Sequence, residues 1–356
     1  MTFKYAGDNC RLHLSMCYIT FHFNQQQYRL KLNMELDHYL SVINKLGLNT
    51  ILRAEKLQVL WGGYGELVRL FVDDTSIVIK HVRLPKPESH PRGWNTDLSH
   101  QRKLKSYQVE LYWYQNYASQ MNSESPVPNA LLVEQKPNEW LLVMEDLHQR
   151  GFTQVCKKAT KTHLGACLRW LAYFHAQHIQ NKGEGLWPSG TYWHLETRPD
   201  EFDALTDLPL KAMAEKIDSV LKHAPYQTLV HGDAKLANFC FTESGEQAAA
   251  VDFQYVGKGC AMKDVALFMS SAVEPEYCTQ MESWVLDEYF SHLRAALKEM
   301  RPDILADEVE KNWRPLFAIA WADFQRFVKG WSPEHWKINE YTESLKNKAL
   351  KQLKAY

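Results

Sequence analysis

The chain has almost no net charge: its 41 Lys and Arg against 42 Asp and Glu leave a formal charge of -1 over 356 residues. A surface so balanced exerts no pull on nucleic acid or on anionic lipid, so neither is an expected partner. No apolar run reaches the length of a membrane span, and membrane insertion is not expected. The most apolar stretch near the start, Leu12 to Phe23, is interrupted by His13, Ser15 and His22 and leads to no small-residue cleavage site, unlike a signal peptide. Paired cysteines are missing as well. The 7 cysteines (Cys10, Cys17, Cys156, Cys167, Cys240, Cys260, Cys278) are odd in number and scattered, with no Cys-x-x-Cys. That excludes a zinc ribbon or a disulfide framework and points to reduced thiols in a cytoplasmic protein. Otherwise the composition is ordinary, 45% hydrophobic and 23% charged, in a chain long enough for two lobes with their own cores.

Against this background one stretch stands out. Leu229 and Val230 form an apolar strand that runs into His231-Gly232-Asp233-Ala234-Lys235-Leu236-Ala237-Asn238; a strand starts at Phe239, and a third, Ala248 to Val251, ends on Asp252-Phe253-Gln254. A hairpin of these strands brings Asp233, Asn238 and Asp252 to one end. Phosphoryl transfer asks little covalent chemistry of a protein. It needs a carboxylate beside the attacking hydroxyl and oxygen ligands for Mg²⁺ on the phosphates. Asp233 is therefore the candidate base, and Asn238 and Asp252 the candidate metal ligands. Gly and Asp are also common turn formers, so the inference rests on the motifs occurring together, in order, between apolar strands.

Upstream, Leu57 to Leu60, Glu66 to Phe71 and Ser76 to Val82 read as strands, with Gly62-Gly63-Tyr64-Gly65 in the first turn. Gly62, Gly63 and Gly65 could let backbone N-H groups approach phosphates, although a plain hairpin turn has the same composition. Lys80 lies on a strand that is otherwise apolar, where a cation is costly unless paired. Its expected partner is Glu110, on a helix from Leu104 to Ala118; the alternatives are an edge lysine and a solvated glutamate. Pro85 to Asp97 reads as a mobile loop. Strands follow at Pro126 to Gln135 and Trp140 to Met144, and the segment from Met144 to Asp146 sits where two lobes would join.

The remainder is mainly helical. Thr162 to Ile179 is a periodic core helix in which His175 is packed rather than catalytic, and Gly183 to Thr197 is an aromatic, irregular loop that could face a substrate. Asp264 opens an apolar helix that it could cap while bracing the loop around Asp233. Helices are expected at roughly 274 to 299, 306 to 329 and 334 to 353. Trp313, Phe317, Trp321, Phe324 and Phe327 form a stripe at helical spacing, read as core. Before all this, residues 1–33 match no element, and helical periodicity begins near Met34, an alternative start of the chain.

His-Gly-Asp followed by Asn238 and then by Asp252-Phe253-Gln254 resembles the aminoglycoside phosphotransferase and choline kinase superfamily. With Gly257 to Phe268, the pattern looks most like the ecdysteroid-kinase-like branch. The resemblance implies a bilobal, protein-kinase-like α+β fold with a sheet-rich lobe over 34–146 and a larger helical lobe over 147–356. It implies ATP and Mg²⁺, with a small-molecule hydroxyl as phosphate acceptor. On that template Gly62, Gly63, Gly65, Lys80, Glu110, Met144 and Asp146 hold the nucleotide, and the backbone of the last two faces adenine. Asp233 and Lys235 are catalytic, with Lys235 near the γ-phosphate, and Asn238 and Asp252 hold metal. A protein kinase shares the ATP site, but no Ala-Pro-Glu segment follows Asp252. A nucleotide-binding pseudokinase would usually lack one of these residues, and none is missing. A hydrolase using the same carboxylates would release phosphate without ATP.

Overall fold

The computed structural model describes residues 39–84 and 97–355. The extension 1–33, the start near Met34 and, except for Asp97, the loop from Pro85 lie outside those residues.

Short, twofold-periodic segments build the first half. Along β2 (Gly65–Val72), Glu66, Val68, Leu70 and Val72 are buried and alternate with half-buried neighbours, the pattern of a strand with one face on a core. β2 is flanked by β1 (Ile51–Val59) and β3 (Thr75–Arg83), and the antiparallel sheet continues through β5 (Glu139–Glu145) to β4 (Ala130–Lys136), in the order β1-β2-β3-β5-β4. A helix over residues 39–45, α1, lays Tyr39, Val42 and Ile43 on one face of this sheet, against Val68, Leu70, Ile77, Ile79, Leu141 and Val143. The opposite face meets α2 (Asp97–Asn116).

In this half three boundaries differ by more than two residues from the sequence reading, each for a local reason. β1 begins at Ile51 instead of Leu57 because it is a mostly exposed edge strand, with little apolar alternation to mark it. β4 starts at Ala130 instead of Pro126, since prolines cannot donate to a ladder; the Pro126 carbonyl instead accepts from Trp170 Nε1 (2.9 Å) and Ala250 N (3.1 Å). α2 starts seven residues before Leu104, in a polar segment that gives no periodic signal.

The second half packs helices around two small ribbons. α3 (Lys161–His178) carries a Thr160–His163 capping box and buries Leu164, Leu168, Leu171 and Phe174. Short α4 (Pro199–Asp203) and α5 (Leu208–Ala212), then α6 (Ala214–Lys222), lead to β6 (Thr228–Val230). β6 pairs antiparallel with β9 (Gly257–Gly259), while β7 (Phe239–Phe241) pairs with β8 (Ala248–Ala250). The expected hairpin is thus two ribbons, because β6 finds its partner beyond Asp252. α7 (Met262–Ala272), α8 (Cys278–Met300), α9 (Ala306–Trp313), α10 (Phe317–Trp331) and α11 (Glu340–Leu353) complete the lobe. The helix expected over 306 to 329 is broken at Arg314–Leu316, where Pro315 withholds an N-H and starts a new turn. The aromatic stripe is core, as read: Trp313, Phe317, Trp321, Phe324 and Phe327 are all buried. The architecture is the expected bilobal α+β arrangement, with the antiparallel sheet first and the helical lobe after it.

Candidate active site

Where the two halves meet, Lys80 is buried between two carboxylates. β3 holds it opposite Leu67 and Leu142, and its Nζ reaches Glu110 at 2.7 Å and Asp252 Oδ1 at 2.8 Å. Burial alone would lower its pKa; the charges of Asp252 and Glu110 outweigh that and keep it above the usual lysine value. Glu110 is pushed up to about 7 by burial, against the pull of Lys80. For Asp252 the balance is opposite: Lys80 overcomes burial and holds the carboxylate below the usual range, so it stays charged.

Asp252 is held from several sides. It adopts a left-handed backbone (φ 71°), uncommon for a residue with a side chain and a form of strain found at functional sites. Gln254 Nε2 donates to its Oδ1 (2.5 Å), while Gln254 Oε1 accepts from Lys103 Nζ (2.8 Å) and Ser106 Oγ (3.2 Å). Between them, Phe253 stacks on Trp113 of α2 at 4.6 Å and 11°. Trp113 lies one turn beyond Glu110, so this helix fixes Asp252 both through the Lys80 ion pair and through Phe253.

The loop after β6 is braced from below. Asp264 accepts from His231 N (2.6 Å) and Gly232 N (3.0 Å) and contacts His175 Nε2 (3.2 Å), whose Nδ1 meets Tyr289. It therefore braces the loop as expected but does not cap its own helix: that N-cap is Ala261, with no side-chain bond. His175 is a packed histidine, as read. His231 donates from Nε2 to Val251 O (3.0 Å) and accepts Asp233 N at Nδ1 (3.2 Å), tying the two aspartate segments together; burial lowers its pKa and keeps it neutral. Gly232 has φ 78°, and a Cβ there would meet Tyr255 O at 2.1 Å, so only glycine fits.

Asp233 then stands at the centre. Lys235 Nζ donates to its Oδ2 at 2.7 Å, and Asn238 Nδ2 donates to the same oxygen (3.1 Å) and to the Asp233 backbone carbonyl (2.8 Å). Its other oxygen, Oδ1, is buried with no hydrogen-bond partner among the described residues. An acceptor left that way costs about 1–3 kcal/mol, a penalty that a bound donor would relieve. Burial raises the Asp233 pKa, and the neighbouring Asp252 charge pushes the same way against the Lys235 ammonium.

Asn238 and Asp252 are adjacent, because Val251 N donates to Asn238 O at 3.0 Å. Asn238 Oδ1 and Asp252 Oδ2 form no protein hydrogen bond among the described residues. One amide and one carboxylate oxygen suit a hard divalent cation such as Mg²⁺ that draws its other ligands from phosphates and water. No cluster of three or more His, Cys, Asp or Glu among the described residues could hold a metal alone.

The remaining sequence candidates are spread along the sheet. Gly62 and Gly63 lie in a single 3₁₀ turn with φ 73° and 77°. Gly65 opens β2, where a Cβ would strike His81 O at 2.0 Å, so the sheet itself demands a glycine. Met144 pairs with both Val78 and Ala130 inside the sheet. The Asp146 carboxylate is fully engaged by Arg69 Nε (2.7 Å), Ser76 Oγ (2.7 Å) and His148 N (3.1 Å), which leaves it none for a ligand. The sequence reading gave no role to Gln254, Lys103 or His231. Gln254 and His231 lie inside the quoted motifs and could have been asked what they bond; Lys103 carries no such signal.

Residues 96–302, more than half the chain, match the profile of the phosphotransferase enzyme family. No curated protein matches. Among solved structures, the choline kinase LicA from Streptococcus pneumoniae aligns at 13% identity over 91% of this chain and 100% of its own, with a TM-score of 0.46. An amicoumacin kinase in complex with AMP-PNP and Ca²⁺ aligns at 16% identity over 88% and 92%, with a TM-score of 0.49. A spectinomycin phosphotransferase in complex with ADP and spectinomycin aligns at 12% identity over 90% and 93%, with a TM-score of 0.48.

Proposed function

The chain belongs to the phosphotransferase enzyme family, and on that premise we propose that it transfers the γ-phosphate of ATP to a hydroxyl of a small molecule. The observation that carries this reading is Asp233 Oδ1, a buried carboxylate oxygen that no group among the described residues satisfies, close enough to Asp252 of the Lys80–Asp252 pair to feel its charge. A hydroxyl donating to Oδ1 would be oriented for attack and would have a base ready for its proton. Lys235, which donates to the opposite oxygen of the same carboxylate, would stabilise the charge that accumulates on the transferring group. Lys80, fixed by Glu110, would position the α- and β-phosphates. Asn238 and Asp252 would hold Mg²⁺, which supplies charge neutralisation on the phosphates. The turn at Gly62 and Gly63 would cover the phosphates. Backbone groups of the segment from Met144 to Asp146 would meet adenine, a role that does not call on the Asp146 carboxylate. Among the described residues no helix is long and apolar enough to cross a membrane, and the proposed acceptor is a small molecule.

The test is ATP consumption with Mg²⁺ against pooled hydroxyl-bearing metabolites, with Asp233→Ala and Asp252→Ala in parallel. Turnover with one pool that disappears in both variants is the expected result. Turnover retained in both variants, or phosphate release that needs no ATP, contradicts the reading.

A further inference from the structure

The wall beyond Asp233 is aromatic and irregular. Tyr192, on the loop before α4, lies 5.8 Å from Tyr255 and 6.5 Å from Phe324 of α10, centroid to centroid. Lys337, between α10 and α11, places its Nζ 5.1 Å over the Phe324 ring. An aromatic wall of this kind could enclose a cationic amine, and for such a ligand carboxylates should stand at its rim. The unmatched charge found there has the opposite sign.

Lys337 is half-buried, its ammonium donates to Ser270 Oγ at 3.0 Å, and no carboxylate lies within ion-pair distance of it among the described residues. The charged groups acting on it are Asp233 and Lys235, which already pair with each other at 2.7 Å. Lys337 is thus the surplus charge, and desolvation, helped by the Lys235 ammonium, holds it down at about 8. On the wall behind it the charges are matched. Arg198 donates to Tyr192 O (2.6 Å), stands 4.9 Å over Phe327 and pairs with Glu201 at 3.1 Å, so those two charges cancel. One wall therefore joins two groups: the acceptor Asp233 Oδ1, next to Gly232 whose carbonyl accepts from Tyr192 N (3.3 Å), and the cation Lys337, over the Phe324 ring that packs on Tyr192, with no carboxylate partner among the described residues.

We infer that the acceptor is an alcohol carrying an anionic group, a carboxylate or a phosphate, which Lys337 binds while the hydroxyl reaches Asp233. Lys337 is then a specificity-determining residue, and the aromatic wall receives the apolar part of the molecule. This rests on the kinase reading above but fails separately from it.

The test uses three para-substituted benzyl alcohols that differ only in bearing a carboxylate, an aminomethyl or a methyl group, with 4-(hydroxymethyl)phenyl phosphate, which keeps its free hydroxyl, as a second anionic arm. Binding is read by calorimetry in the presence of Mg²⁺ and the non-hydrolysable AMP-PNP, and transfer is read with ATP, for the full chain and for Lys337→Met and Lys337→Glu. The anionic congeners should bind and react best. Lys337→Met should raise their KM about ten-fold or more with little change in the KM for ATP, and Lys337→Glu should reverse the preference toward the amine. A merely structural lysine would not produce that reversal, and a retained melting temperature in Lys337→Met guards against misfolding. Parent protein that prefers the amine or the methyl congener, unchanged anion affinity in Lys337→Met, or binding of none of the probes overturns the inference. Phosphorylation of the amine or methyl congener in preference to the anionic ones would do so while upholding the kinase. Lys337-dependent binding of an anionic congener without transfer would support the inference and count against the kinase.

Discussion

The two sides of the site differ in how completely the protein satisfies them. On the side proposed to meet the phosphates, Lys80 pairs with both Glu110 and Asp252, Gln254 orients the last, and Phe253 is locked on Trp113. On the side proposed to meet the acceptor, Asp233 Oδ1 has no donor and Lys337 no carboxylate partner among the described residues. A region that satisfies itself is preorganised, whereas a region left unsatisfied gains most from a ligand that supplies the missing partners. The difference also separates rigidity from strain: the tight phosphate side holds Asp252 at φ 71°, a conformation that needs its surroundings to enforce it.

Substitutions can break this contrast. The largest effect is expected from Asp233→Asn, which keeps the shape but removes the base; kcat should fall by about 10²–10⁴-fold, measured in steady state with the acceptor found by the pooled screen. Lys80→Met comes next. It leaves the buried Glu110 and the half-buried Asp252 without their cation, so stability should drop by about 3 kcal/mol in urea unfolding, along with turnover. Asp264→Ala touches neither substrate yet orphans the N-H groups of His231 and Gly232; a loss of about 3 kcal/mol is expected from the same titration.

The smallest effect sharpens the contrast by pH. Burial raises the Asp233 pKa, and a base works only when ionised, so kcat/KM should fall as pH drops through a value above the ordinary aspartate pKa of about 3.9. Removing the favourable ammonium with Lys235→Met should move that limb further up. A limb at or below the ordinary value, or one moved down in Lys235→Met, would place the base elsewhere.

The two sides were not equally legible in the sequence. Lys80 is a single charge in an apolar strand, and Asp233, Asn238 and Asp252 sit at spacings that declare a shared end of short strands, so local chemistry marks them. What needed coordinates is set by long-range pairing. β6 joins β9 across Asp252 rather than its neighbour β7, and Asp264 turns away from its own helix to the loop around His231. Lys337 falls inside the helix expected over 334 to 353, which in fact begins only at Glu340 behind the Asn339 cap, and no motif distinguishes it from a surface lysine. Only its position over Phe324, on the ring cluster with Tyr192 beside the Asp233 loop, gives it meaning.

The division itself is tested most directly by calorimetric titration of Mg²⁺ and AMP-PNP into the parent, Asp252→Asn and Asp233→Asn. Nucleotide affinity close to the parent's in Asp233→Asn, with a loss of about ten-fold or more in Asp252→Asn, is the result this account predicts. Equal losses in both variants, or none in either, would contradict it.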